Sequence, residues 1–263
     1  MSLEQEDEAV AVLRDGHIAV VSISRPPHNF LTEPILAQLA SAIEQLDGVC
    51  RAVVVAAEGK SFCAGANFRS SVAPDPSAGG SFAGSADRFY AQAIRIFSVG
   101  VPLIAAVHGP AIGAGFGLAL ACDLRVMGET AWLQANFVRL GIHPGFALSA
   151  TLPRLVGPGR AADLFLTGRK VGAEEALRIG LVDRVAPSQA VLTVAVELAG
   201  EIASGAPLAV ASTRATLRSG LSELAADALS HELAEQSRLA GTADAVEGVA
   251  AMLDRRMPSF EGR

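Results

Sequence analysis

The sequence predicts an α/β fold: a parallel sheet with crossover helices, followed by an all-helical C-terminal region. Three observations carry this. The short apolar runs 52–57, 103–107 and 124–127 have the length and composition of strands buried on both faces. Segments with apolar residues at helical spacing alternate with these runs, as crossovers between parallel strands require. Beyond about Gly157 only helical spacing is left. The chain has 263 residues, 51% of them apolar, enough for one large core.

In chain order, residues 10–13 and 17–24 read as a β-hairpin with Asp15-Gly16 as its turn. Arg25-Pro26-Pro27 ends the second strand, because proline cannot donate to a ladder. Thr32 is placed to cap a helix reaching about Leu46, with Pro34 in its first turn. Ile35, Leu36, Leu39, Ile43 and Leu46 share one face of it. The strand 52–57 ends at Glu58-Gly59-Lys60. Residues 70–85, rich in Ser, Gly, Ala and Pro, predict a mobile loop, and a helix over about 86–97 follows. The segment 109–117 leads from the strand 103–107 into a further helix. Later helical spacing marks 173–179, 189–204, 207–219, 223–239 and 243–256. The expected organisation is a core over 1–195 and a helical region over 196–263, with no internal repeat.

A net charge of −6 and a pI near 5.4 argue against nucleic acid or an anionic membrane as partner, while leaving room for an anionic ligand held by local cations. The three cysteines, Cys50, Cys63 and Cys122, are odd in number and widely spaced, so neither a disulfide framework nor a metal site is expected. The acidic N-terminal residues lack a signal pattern, and a cytoplasmic location is expected. The apolar stretch 101–122 has the length of a membrane span. Its Pro102, Pro110 and four glycines fit a buried strand, a loop and a helix start better.

Two glycine-rich corners, each after a buried strand, carry the chemistry. One is Gly59-Lys60-Ser61-Phe62-Cys63-Ala64-Gly65-Ala66-Asn67-Phe68. The other runs from Ala106 through His108-Gly109-Pro110-Ala111-Ile112-Gly113-Ala114-Gly115-Phe116-Gly117 to Leu118. Small residues let a ligand approach the backbone, and a helix start offers unpaired N–H groups at its positive end. Taken singly, either corner reads as an ordinary strand–helix turn.

Both corners, in this order, resemble the two loops of the crotonase (enoyl-CoA hydratase/isomerase) superfamily, G-x-x-F-x-A-G-x-[DN] and A-A-x-x-G-x-[AC]-x-G-[GA]-G. The resemblance extends through Ala121-Cys122-Asp123-Leu124-Arg125, Leu140-Gly141-Ile142-His143-Pro144-Gly145, Leu152-Pro153-Arg154-Leu155-Val156-Gly157, Leu166-Thr167-Gly168-Arg169 and the ALRIGLVD segment at 176–183, to Arg256 and Phe260. It implies a crotonase-like ββα spiral core with a C-terminal helical region, and an acyl-CoA thioester as the bound molecule, CoA being part of the substrate rather than a cofactor. It places two oxyanion-hole amides on Ala66 and Ala114. It implies a CoA groove at His28, Lys60, Ala64, Gly65, Arg69 and Gly113, with Arg256 and Phe260 reaching a neighbouring subunit's CoA in a homotrimer or dimer of trimers. Each charged residue among these also reads as a solvated surface side chain.

The sequence departs from that pattern at the acids. Hydratases of the superfamily carry glutamates at the positions of Gly117 and Phe137, and other branches an acid at Gly145. Glycine and phenylalanine exchange no protons. His143 is the remaining candidate with a suitable titration range, and it reads first as a structural loop histidine. Tyr90, the only tyrosine, reads either as lining an acyl pocket or as core; Phe116, Phe137, Phe146 and Leu148 suggest that pocket's apolar walls. Two functions are therefore open: an acyl-CoA enzyme with an atypical proton-transfer set, or an acyl-CoA-binding protein without catalysis. A dinucleotide oxidoreductase is disfavoured because Gly113-x-Gly115-x-Gly117 lacks the G-x-G-x-x-G spacing. A serine hydrolase is disfavoured because no G-x-S-x-G occurs.

Overall fold

The computed structural model describes residues 9–67 and 82–263. Strands β1 (Val10–Asp15) and β2 (Ile18–Ile23) form the predicted antiparallel hairpin. Asp15 pairs with Ile18, so the loop is Gly16-His17 rather than Asp15-Gly16, with Gly16 at φ 56°. Helix α1 (Glu33–Leu46) starts as read: Thr32 Oγ1 accepts from Ile35 N, Pro34 sits in the first turn, and Ile35, Leu36, Leu39, Ile43 and Leu46 are buried.

Strands β3 (Ala52–Ala57), β4 (Leu103–Val107), β6 (Leu124–Gly128) and β9 (Arg184–Ala186) extend the hairpin into a six-stranded sheet of order β1-β2-β3-β4-β6-β9. All pairs beyond the hairpin are parallel. The apolar runs are continuous because both faces are covered. Val53, Val55, Leu103 and Ala105 pack towards α1 and the other helices of the main core; Ala52, Val54, Ala56, Ile104 and Ala106 face helix α7 (Val191–Ser204). Helix α7 therefore seals one face of the sheet, and the boundary expected at 195/196 falls inside it.

Helix α2 (Phe82–Ser98) begins earlier than expected; the rest of the predicted mobile loop, 70–81, lies outside the described residues. A second, three-stranded sheet holds β5 (Ala111–Ile112), β7 (Trp132–Gln134) and β8 (Lys170–Gly172) in the order β5-β7-β8. Strands β8 and β9 correct the expectation that only helices follow Gly157. Each is three residues long, too short to show an alternation. The remaining helices are α3 (Ala114–Ala121), α4 (Leu148–Val156), α5 (Pro158–Thr167), α6 (Ala173–Arg178), α8 (Pro207–Leu217), α9 (Leu221–Leu239) and α10 (Ala243–Leu253).

Asp123 ties α8 to the sheet. Its carboxylate accepts from Leu103 N, from Arg214 Nε at 2.8 Å and from Arg218 Nη1 at 3.0 Å. Burial of Arg218 pulls its pKa down, against the opposing charge of Asp123. Cys50, Cys63 and Cys122 are buried free thiols. Among the described residues no single helix is long and apolar enough to cross a membrane, and no group of three His, Cys, Asp or Glu is arranged to hold a metal.

Candidate functional site

The two glycine corners lie against each other backbone to backbone. Cys63 N donates to Pro110 O at 3.2 Å and Ile112 N to Cys63 O at 2.9 Å. Three glycines permit this closeness. A β-carbon on Gly109 would stand 2.5 Å from Lys60 O, one on Gly115 2.6 Å from Cys63 Cβ, and one on Gly65 3.1 Å from Ile112 O and 3.9 Å from Ala114 N. Gly65 also needs φ 106°, which only glycine adopts without strain.

This clamp positions Ala66 and Ala114. Leu31 N donates to Gly65 O and Asn67 N to Leu31 O, both at 2.8 Å. Along this extended segment the amide of Ala66 therefore faces away from that bridge. Ala114 is the first residue of α3, and Gly113, at φ 54°, precedes it. First-turn amides have no intrahelical acceptor. Among the described residues neither the Ala66 nor the Ala114 amide donates a hydrogen bond. Helix α3 is buried throughout, so the Ala114 amide sits at the end of a dipole shielded from water.

The neighbouring loop after β2 is fixed by Asn29, wholly buried at φ 51°. Its Nδ2 donates to Glu58 O at 2.6 Å and Ser61 O at 2.8 Å, and its Oδ1 accepts from Arg25 N at 2.8 Å. Lys60 N donates to Pro27 O and Ala64 N to His28 O, which ties the loop at His28 to the first corner; Gly65 in that corner is buried. His28 is exposed, with Nδ1 3.3 Å from Ser61 Oγ. Beside it opens a cavity of about 480 Å³ lined by Arg25, Pro26, His28, Phe30 and Asn67. Arg25 is a cation that sequence reasoning missed, and Arg69 lies outside the described residues.

Over 250 of the residues, 14–263, the chain matches the family model described as enoyl-CoA hydratase/isomerase. The chain belongs to the enoyl-CoA hydratase/isomerase family. In fold and sequence it is a member of the crotonase superfamily. It is 35% identical over 257 residues to a probable enoyl-CoA hydratase of Bacillus subtilis, covering 97% of this chain and 99% of the relative. A probable enoyl-CoA hydratase of Mycobacterium tuberculosis is 38% identical over 241 residues, with 89% and 90% covered. A crystal structure of an enoyl-CoA hydratase/isomerase from Pseudoalteromonas atlantica superposes with a TM-score of 0.84 at 31% identity, covering 96% of this chain and all of that one.

In this family member the places expected to hold acids are physically filled. A β-carbon on Gly117 would meet Phe146, 2.5 Å from its Cβ and 2.8 Å from its ring. One on Gly145 would collide with Tyr90 Oη and come within 2.6 Å of Gln236 Nε2. At position 137 the phenylalanine is buried, its ring 3.7 Å from a β-carbon placed on Gly113.

A buried polar network from α9 lies behind these aromatics, and sequence reasoning missed it. Tyr90 Oη donates to Gln236 Oε1 at 2.7 Å, and Gln236 Nε2 donates to His143 O at 2.9 Å. Glu232, with no exposed surface, accepts from Ala147 N, Ser149 N and Ser149 Oγ at 2.6–2.9 Å. Burial raises the Glu232 pKa against these hydrogen bonds, and burial, then the Glu232 charge, raises that of Tyr90. Burial also pushes the Cys63 thiol up to about 12, so it stays protonated under the first corner. The His143 ring packs edge-on against His231 at 5.6 Å, with Nδ1 2.8 Å from Pro144 O. Among the described residues these contacts lead to α9 and to its own loop, not to Ala66 or Ala114. Arg256 forms a two-point ion pair with Glu247 (2.5 and 2.8 Å), and Phe260 is 41% exposed beyond α10.

Proposed function

We propose that the protein holds an acyl-CoA thioester with its carbonyl oxygen between the amides of Ala66 and Ala114. The observation that carries this reading is the Gly65–Gly109–Gly115 clamp, which brings the first corner against the start of α3, with the Ala66 and Ala114 amides lacking an acceptor among the described residues. Donors aimed at a developing enolate oxygen are worth about 3–4 kcal/mol each. The CoA moiety would follow His28, Lys60, Ala64, Gly65 and Arg69, with Arg25 as a further cation for its phosphates. Gly113 and Phe137 would flank the acyl end. Arg256 and Phe260 would meet a neighbouring subunit's CoA in a homotrimer or dimer of trimers. The reading needs no cofactor besides the CoA of the substrate, and a cytoplasmic location suits its free, buried thiols.

Polarising the thioester is one half of the chemistry; moving the α-proton is the other. No carboxylate occupies positions 117, 137 or 145, so hydration by a glutamate pair is not the expected reaction. The test is incubation with butyryl-CoA in D2O, following loss of the α-proton signal, alongside calorimetric binding. Binding with exchange supports an enolate-forming enzyme, and absence of binding to every acyl-CoA tried defeats the reading. The packing of Phe146 on Gly117 and of Tyr90 on Gly145 favours a second reading, a non-catalytic acyl-CoA binder. That protein would bind butyryl-CoA, exchange no α-proton and leave crotonyl-CoA unhydrated.

A further inference from the structure

Phe146 and Ala147 both occupy the left-handed region, at φ 62° and 56°, and neither is glycine. Such residues persist only where the surroundings hold them. Ala147 occupies the N-cap position of α4, where its side chain offers no acceptor. The acceptor comes from α9 instead. Glu232 Oε2 takes the amide of Ala147 at 2.8 Å; Oε1 takes the amide of Ser149 at 2.9 Å and its hydroxyl at 2.6 Å. One turn further along α9, Gln236 holds the other end of the same loop through His143 O. Between the two anchors the Phe146 side chain, fully buried, lies on the Cα of Gly117 and edge-on to Phe89 at 6.0 Å. Gly117 is in the turn of α3 that begins with the Ala114 amide.

We propose that Glu232 is a positioning residue that fixes Phe146 as the floor of the acyl pocket, so that a side chain outside the pocket sets the length of acyl chain admitted beside the thioester. This rests on the acyl-CoA reading above. The carboxylate is suited to the task because its two oxygens accept from three donors at once. A glutamine in its place presents an N–H to one of them. The left-handed turn then loses part of its hold, and Phe146 can relax away from Gly117.

The test uses the full-length protein and calorimetric affinities for acetyl-, butyryl-, hexanoyl- and octanoyl-CoA, measured well below each variant's unfolding temperature. Phe146→Ala is expected to move the preferred length towards longer chains, by about tenfold in relative affinity for each two methylenes newly buried. Glu232→Gln is expected to move the profile in the same direction, and Ser149→Ala, the milder variant should Glu232→Gln not fold, to move it part of the way. Three results overturn the proposal: an unshifted profile in Phe146→Ala; a shift there with none in either Glu232→Gln or Ser149→Ala; or a fall in melting temperature in the latter two with the wild-type profile kept. If the wild-type protein binds no member of the series, the acyl-CoA reading itself fails, a result distinct from binding with an unchanged profile.

Discussion

Gly115 concentrates the demands of the site in one missing methyl group. It lies inside α3, where alanine is the better helix former, yet a β-carbon there would overlap the backbone of Cys63. The need is for space, since the neighbour is a main chain that cannot rotate aside. Gly115→Ala is expected to cost about 1–3 kcal/mol in denaturant unfolding, as overpacking does, and to weaken acyl-CoA binding by separating the two corners. Gly159→Ala in α5, with nothing within 4 Å of the added carbon, is the control and should be neutral or slightly stabilising. An unchanged unfolding midpoint for Gly115→Ala would mean that the two corners are not held at backbone contact. Glycines of this kind are legible in a sequence because their pattern is the signal. The turn at Phe146-Ala147 is not, because a left-handed residue that keeps its side chain leaves no mark. Glu232 did leave one: with Ala225, Leu229 and Gln236 it falls on the buried face of α9, a spacing that puts a carboxylate where an apolar residue belongs.

Among the elements, α10 bears most directly on Phe137. Its Gly248 packs on Leu140, and the backbone at Asp244 and Ala245 packs on Gly141, so the helix sits on the 3-10 turn Phe137–Leu140 with no side chain between. The chain beyond α10 is then tied back to it. Arg256 pairs with Glu247, and Ser259 N donates to Glu247 Oε1 at 2.8 Å. The Arg256 hydrogen bonds, then that of Ser259, lower the Glu247 pKa to about 2 from an ordinary 4.5. A carboxylate whose folded value lies below its unfolded one contributes its stability above about pH 4.5 and loses it as pH falls towards about 2. The Ser259 amide chemical shift is therefore expected to titrate with a midpoint near about 2, and Glu247→Gln to abolish that titration. A midpoint near 4.5 would mean that the tail is not docked on Glu247. The helix of this pair was readable from spacing; the pairing was not, since Arg256 carried equal marks of a surface cation and of a ligand contact. The strands β8 and β9 escaped for a different reason: three residues hold too little pattern to outweigh the helices around them.

At the scale of the molecule, the single chain leaves apolar surface that its own core does not use. On α8, Leu208 is 85% and Leu217 74% exposed, although Asp123 anchors the same helix firmly through Arg214 and Arg218. Between α8 and the ends of α3 and β6 lies a cavity of about 780 Å³, with walls that include Leu120, Leu124, Ile202, Val210 and Leu217. A rigidly anchored helix with leucines facing water is costly at about 25 cal/mol per Å² of apolar area, and association removes that cost. A homotrimer built on this face would cover those leucines and would bring Arg256 and Phe260 towards a neighbour. Light scattering should return three or six times the 27.0 kDa chain mass at micromolar concentration. Leu208→Glu with Leu217→Glu should shift it towards a single chain, with far-UV circular dichroism retained. A wild-type mass of one chain would leave α8 with no role in assembly. It would also remove the route by which Arg256 and Phe260 could reach a second subunit's CoA, and the acyl-CoA site would have to be complete within the corners at Ala66 and Ala114.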